Sequence, residues 1–169
     1  MTVAEFNALT EPDAAAELTA VCGAANWGRR LLDQRPFGTV DDVRRAALDA
    51  WRTLGREDWL EAVSHHPRIG SAVAAHPTGA RAQSWSSSEQ AGARATDDAT
   101  RRHFTELSET YERTFDRPFI IYATGLGLHD MAAALSQRLG NDADTELRVT
   151  ADELRRITLL RVDKLFASP

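Results

Sequence analysis

Only one cysteine, Cys22, occurs in the 169-residue chain, so no intrachain disulfide and no thiolate metal cluster can form. A reducing, intracellular setting follows most simply. Long hydrophobic runs are also missing: the longest, Phe119-Ile120-Ile121-Tyr122-Ala123, is far too short to span a bilayer. The start, Met1 to Glu5, lacks the basic and apolar regions of a secretory signal, and the tail Ala167-Ser168-Pro169 is not a peroxisomal address. A cytoplasmic protein without a membrane partner is expected. Excess positive charge is absent as well, since 20 basic residues are interleaved with 25 acidic ones for a net charge of −5. That balance argues against nucleic acid as a partner, because a phosphate backbone requires clustered, unneutralised Lys and Arg.

What remains, 43% hydrophobic and 27% charged residues, suits one globular domain over 1–169 with a sizeable core. Helix signals dominate it. Thr2 and Glu5 have capping-box spacing, Pro12 suits the first turn of a helix ended by Gly23, and a third helix over 26–34 stops at Pro36. Thr39 caps a longer helix in which Val43, Ala47, Ala50, Trp51 and Leu54 recur at helical spacing. A further helix over 56–64 leads to His65 and His66.

Residues 71–85 read as a loop with at most one helical turn. Ser86 and Glu89 then repeat the S-x-x-E spacing, which predicts the start of a long helix reaching Phe115, with Phe104, Leu107, Tyr111 and Phe115 as its buried stripe. Asp116-Arg117-Pro118 breaks it. The segment 119–127 fits a short strand or a tight helix, since periodicity cannot decide for so brief an apolar run. Helices over 128–139 and 142–166 complete an all-α, single-domain, irregular bundle of seven to eight helices.

Two local anomalies point to chemistry. His66 precedes Pro67, which pushes it out of the α region, and Pro67 with Gly70 makes a stiff turn at a helix end. Taken alone, His65 and His66 are more simply half-exposed helix-end residues favoured by the dipole. Arg161 is the second anomaly, lying on one stripe with Leu147, Ala151, Leu154, Thr158 and Leu165. A guanidinium there must snorkel, pair with a buried carboxylate or await an anionic ligand. Brought together with Ser86, Glu89 and Gln90 at a helix N-terminus, these residues make an anion site in which His66 and Glu89 handle protons.

Metal and cofactor chemistry find less support. His65, His66 and His76 cluster in sequence, but adjacent histidines rarely share an ion and no His-Glu-x-x-His spacing occurs. There is no G-x-S-x-G elbow, Cys22 has no nearby histidine, and Gly125-Leu126-Gly127 is too little to suggest a nucleotide cofactor. A metal-free, cofactor-free reaction is expected.

The ordered set His66-Pro67-Arg68-Ile69-Gly70, Ser86-x-x-Glu89-Gln90, Phe119-Ile120-Ile121 and a closing helix with Asn141-Asp142, Glu146 and Arg161 resembles the 2-oxo-4-hydroxy-4-carboxy-5-ureidoimidazoline (OHCU) decarboxylase family. Asn26-Trp27 and Arg35-Pro36-Phe37 extend the resemblance to nearly the whole chain. It implies an all-helical homodimer of urate catabolism that makes S-allantoin and carbon dioxide without a cofactor. Urate oxidase and hydroxyisourate hydrolase would supply its small-molecule substrate. By the same resemblance His66 is the proton donor and Glu89 its polar partner. Pro67, Ser86, Gln90, Arg161 and the backbone of Phe119, Ile120, Ile121 and Ala123 contact the substrate. The His-Pro pairing selects His66 over His65, whereas Ser86, Ser87 and Ser88 stay open as the contacting serine. Two other classes compete: a helical binding module for a small anion without turnover, and a metal-assisted ureide amidohydrolase.

Overall fold

A computed structural model describes residues 1–69, 79–91 and 97–167. Its described elements are all helical: α1 (Val3–Ala8), α2 (Glu11–Val21), α3 (Ala25–Leu32), α4 (Val40–Arg52), α5 (Arg56–Ser64), α6 (Gly79–Glu89), α7 (Asp98–Phe115), α8 (Leu128–Arg138) and α9 (Ala143–Phe166). The single all-α domain is therefore as expected, with nine helices among the described residues rather than seven or eight. Local signals account for many of the boundaries. Thr2–Glu5 and Thr39–Asp42 form the capping boxes of α1 and α4, and Pro12 lies in the first turn of α2. Asp142 accepts from the Asp144 and Thr145 amides to start α9. At the other end of α7, Asp116 adopts the left-handed conformation, φ 54°, and Pro118 follows.

Two stretches differ from expectation. Part of the supposed 71–85 loop is helix, since α6 begins at Gly79; residues 70–78 lie outside the described set. Ser86 and Glu89 consequently sit in the last turn of α6, not at the head of a long helix, and α7 starts separately from the Asp97 cap. The S-x-x-E spacing serves equally well to put two side chains on one helix face, which is how it is used here.

Helix α9 organises the packing. It runs against α2, α4 and α5, and α3 packs on both α2 and α4. The resulting core includes Phe6, Leu18, Trp27, Leu31, Val43, Trp51, Leu154 and Leu165. A second core, built by α7 packed against α8, holds Phe104, Tyr111, Phe115, Met131 and Leu135. Among the described residues no helix is long and apolar enough to cross a membrane.

The segment between α7 and α8 joins the two cores. It is neither ladder-paired strand nor helix, but its side chains alternate as in a strand: Phe119, Ile121 and Ala123 pack into the second core, Ile120 and Tyr122 into the first. Without a sheet partner, its backbone groups need other ones. Arg138 Nη1 donates to the Ile120 carbonyl at 2.7 Å, and the Tyr122 amide donates to Glu153 at 2.6 Å.

Candidate active site

His66 is placed by the end of α5. Its amide donates to the Val63 carbonyl at 3.0 Å, closing the last turn, and Pro67 prevents the helix from continuing. The ring is buried, 8% exposed, with Nδ1 2.8 Å from the Ala62 carbonyl. A carbonyl only accepts, so Nδ1 carries the hydrogen of this contact. His65 has a different setting. Its Nδ1 lies 2.9 Å from the Glu61 carbonyl, and it packs over Gly23, where a Cβ would come within 2.6 Å of its own Cβ.

Arg161 neither snorkels nor stands alone. It is 3% exposed, and its Nε and Nη2 reach the two carboxylate oxygens of Glu89 at 3.2 and 2.9 Å. Nη2 also donates to Ser86 Oγ at 2.9 Å. Such a fork holds the guanidinium plane in one orientation. Lys164, one turn further along α9, adds a second cation to Glu89 Oε1 at 3.0 Å. Burial raises the carboxyl pKa of Glu89, but the hydrogen bonds and charge of Arg161, with Lys164, outweigh it and hold the group below its usual value. Glu89 is thus placed as the counter-charge of Arg161 and Lys164. Amides of α6 around Ser86 are inside the helix, so the expected N-terminal anion site is not there.

These pieces surround one cleft. All ten residues singled out from sequence line it: His66 and Pro67 from the α5 turn, Ser86 and Glu89 from α6 and Gln90 just after it, Phe119, Ile120, Ile121 and Ala123 from the extended segment, and Arg161 from α9. Of the three serines only Ser86 lines it; Ser88 instead donates to the Trp85 carbonyl at 2.8 Å. Ile157 and Leu160 complete an apolar wall that removes solvent from the polar groups and strengthens their fields. Ligand-binding clefts commonly have this character, mostly apolar with a few convergent polar groups.

Cys22 has no part in the cleft lining, and burial pushes its thiol up to about 11, leaving it protonated. No three His, Cys, Asp or Glu side chains converge as a metal site among the described residues, and His76 lies outside them.

Some contributors escaped the sequence reading. Lys164 was signalled only by its i+3 spacing from Arg161. Arg138 and Glu153, which the sequence analysis did not single out, hold the extended segment. Arg138 is itself fixed by Glu146 through Nε and Nη2 at 2.9 and 2.5 Å, and Glu146 accepts from Tyr111 at 2.5 Å and Asn141 at 2.8 Å. Tyr111 was expected on a buried stripe, but that Arg138 and Glu146 are buried with it depends on the meeting of α7, α8 and α9.

Comparison with known proteins bears on the family and the fold. A family model described as OHCU decarboxylase matches residues 7–163. The chain is 33% identical over 153 residues to the "uric acid degradation bifunctional protein TTL" of Arabidopsis thaliana, covering 89% of this chain and 47% of that protein. It thus spans just under half of the plant relative. A 2-oxo-4-hydroxy-4-carboxy-5-ureidoimidazoline decarboxylase of Haloferax volcanii is 31% identical over 143 residues, 82% of this chain and 80% of the other. Among solved structures, an OHCU decarboxylase crystallised in the presence of (S)-allantoin superposes with a TM-score of 0.75 at 30% identity, covering 90% of this chain and 99% of that one.

Proposed function

Because the chain belongs to the OHCU decarboxylase family, we propose that it converts 2-oxo-4-hydroxy-4-carboxy-5-ureidoimidazoline to S-allantoin and carbon dioxide in urate catabolism, with His66 as proton donor. The observation that carries this reading is the pairing of two buried polar groups on one apolar cleft: an imidazole locked by Ala62 and a guanidinium locked by Glu89 and Ser86.

The chemistry needs little more. The bond from the hydroxyl-bearing ring carbon to its carboxylate breaks, the electron pair passes towards the adjacent C=N of the ring, and carbon dioxide leaves an enol. The Nε2–H of the His66 imidazolium then protonates the neighbouring, ureido-bearing ring carbon, the hydroxyl proton passes to the former imine nitrogen as the hydroxyl carbon becomes the carbonyl of allantoin, and Nε2 regains a proton from solvent. Delivery from one fixed side gives one enantiomer. Arg161, with Ser86 and Gln90, grips polar oxygens of the substrate, while the backbone of residues 119–123 and Pro67 close on the ring. Glu89 acts by holding Arg161. A bond from Arg161 to the substrate favours catalysis only as far as it strengthens in the transition state, so its larger effect falls on binding.

The same resemblance supports a homodimer working in the cytoplasm without a cofactor, next to urate oxidase and hydroxyisourate hydrolase. The plant relative's description as a bifunctional protein of uric acid degradation supports coupling to neighbouring steps. The test is to generate the substrate in place from urate with those two enzymes and follow optical activity. Faster formation of S-allantoin when the protein is added supports the reading; racemic product at the spontaneous rate overturns it.

A further inference from the structure

Apart from His66, whose charge is spent as it gives up its proton, the charged side chains that line the cleft among the described residues are Glu89, with one negative charge, and Arg161, with one positive charge, and the two are engaged with each other. Alone they sum to zero, and Arg161 lies near the carbonyl end of α9, which disfavours an anion. Lys164 changes the balance.

Its ammonium sits 3.0 Å from Glu89 Oε1 and 3.3 Å from Ser88 Oγ, on the outer side of the Arg161–Glu89 pair, with 27% of the side chain exposed. It is also the only lysine in the chain, the other 19 basic residues all being arginine. The residue type suits the position. A compact ammonium adds charge to one carboxylate oxygen and leaves the fork that orients Arg161 intact.

We propose that Lys164 is a specificity-determining residue that gives the Arg161–Glu89 pair a net positive charge, so that the cleft favours an anionic substrate over its neutral, decarboxylated product. This rests on the decarboxylase reading above. Loss of carbon dioxide removes the substrate's carboxylate, and with it the attraction to that net charge. The reaction itself thereby weakens binding and speeds product release. Lys164 does not touch the ligand in this scheme; it acts through Glu89 and through the field at the cleft, attenuated because it is partly solvated.

The experiment compares wild type, Lys164→Met and Lys164→Arg in steady-state decarboxylation of substrate generated from urate, with added S-allantoin as the neutral competitor. For Lys164→Met the expected result is a KM raised about tenfold, with the inhibition constant of S-allantoin within twofold of wild type and a shallower dependence of KM on ionic strength. Lys164→Arg restores most of the substrate KM. Equal weakening of substrate and allantoin marks a purely structural role and overturns the proposal, as does an unchanged KM. Absence of turnover by the wild-type protein overturns the function reading itself and this inference with it, so the two failures are distinguishable.

Discussion

At the scale of single residues, His66 and Arg161 answer to different measurements. Removing a positioned general acid typically costs about 10²–10⁴-fold in rate, so His66→Ala should lower kcat by that order while leaving the fold intact. His65→Ala should leave kcat within a few-fold, because His65 is tied to the Glu61 carbonyl and not to the cleft lining. For Glu89 the informative change is Glu89→Gln, which keeps the shape but loses the charge that orients Arg161; a raised KM is expected before a lowered kcat, read from initial rates. Both principal residues were legible in the sequence for the same reason. Each breaks a local rule, a histidine locked by a following proline and an arginine on an apolar stripe, and such violations are visible without tertiary knowledge. Ser86 and Glu89 were found by a spacing whose capping interpretation failed, since identical spacing makes two residues neighbours on a helix face. Lys164 breaks no rule of its own helix, so only the approach of α6 to α9 reveals it.

At the scale of elements, the extended segment 119–123 shows what sequence periodicity leaves out. Five consecutive apolar positions can alternate between two cores only when both exist, and neither core is local to the segment. Its geometry is held by the buried Arg138–Glu146 pair, where Arg138 is 8% and Glu146 0% exposed. Breaking such a pair by Arg138→Met leaves an uncompensated carboxylate, for which a loss of about 3–5 kcal/mol is expected in urea denaturation. The double variant Arg138→Met with Glu146→Leu should be less damaging than that single change, because neither charge is then left buried alone. At the start of α9 the Asp142 cap satisfies two amides, and Asp142→Ala should cost about 1 kcal/mol in the same assay.

At the scale of the whole molecule, pH links the cleft to stability. Burial pushes Glu146 upward, but the Arg138, Tyr111 and Asn141 hydrogen bonds prevail and hold it below the usual glutamate value, as Arg161 and Lys164 do for Glu89. Groups with a lowered folded-state pKa stabilise above their unfolded value, about 4.3 for Glu, and that stability is lost as pH falls through the folded values. Unfolding free energy should therefore be level near neutrality and fall below about pH 4.3, with a shallower decline in Glu146→Gln. Assembly is the second property at this scale. The described residues include no exposed large hydrophobic side chain, so a homodimer would meet through a mixed polar surface. Sedimentation of a dimer that loosens with salt and dilution is the expected result; a monomer at all concentrations would contradict it. The all-helical domain itself was legible from caps, prolines and stripes, because helices are specified by short-range signals. The pairing of α7 with α8 as a separate second core was not, since it depends on long-range contact.

The most direct test joins reaction and proton donor in one observation: circular dichroism of allantoin formed from urate, with urate oxidase and hydroxyisourate hydrolase present, for the wild type and for His66→Ala. The account predicts rapid growth of the S-allantoin signal with the wild type and its loss with the folded variant. A wild-type signal retained at full rate by His66→Ala would contradict the assignment of His66, and no effect of the wild type on rate or handedness would contradict the decarboxylase itself.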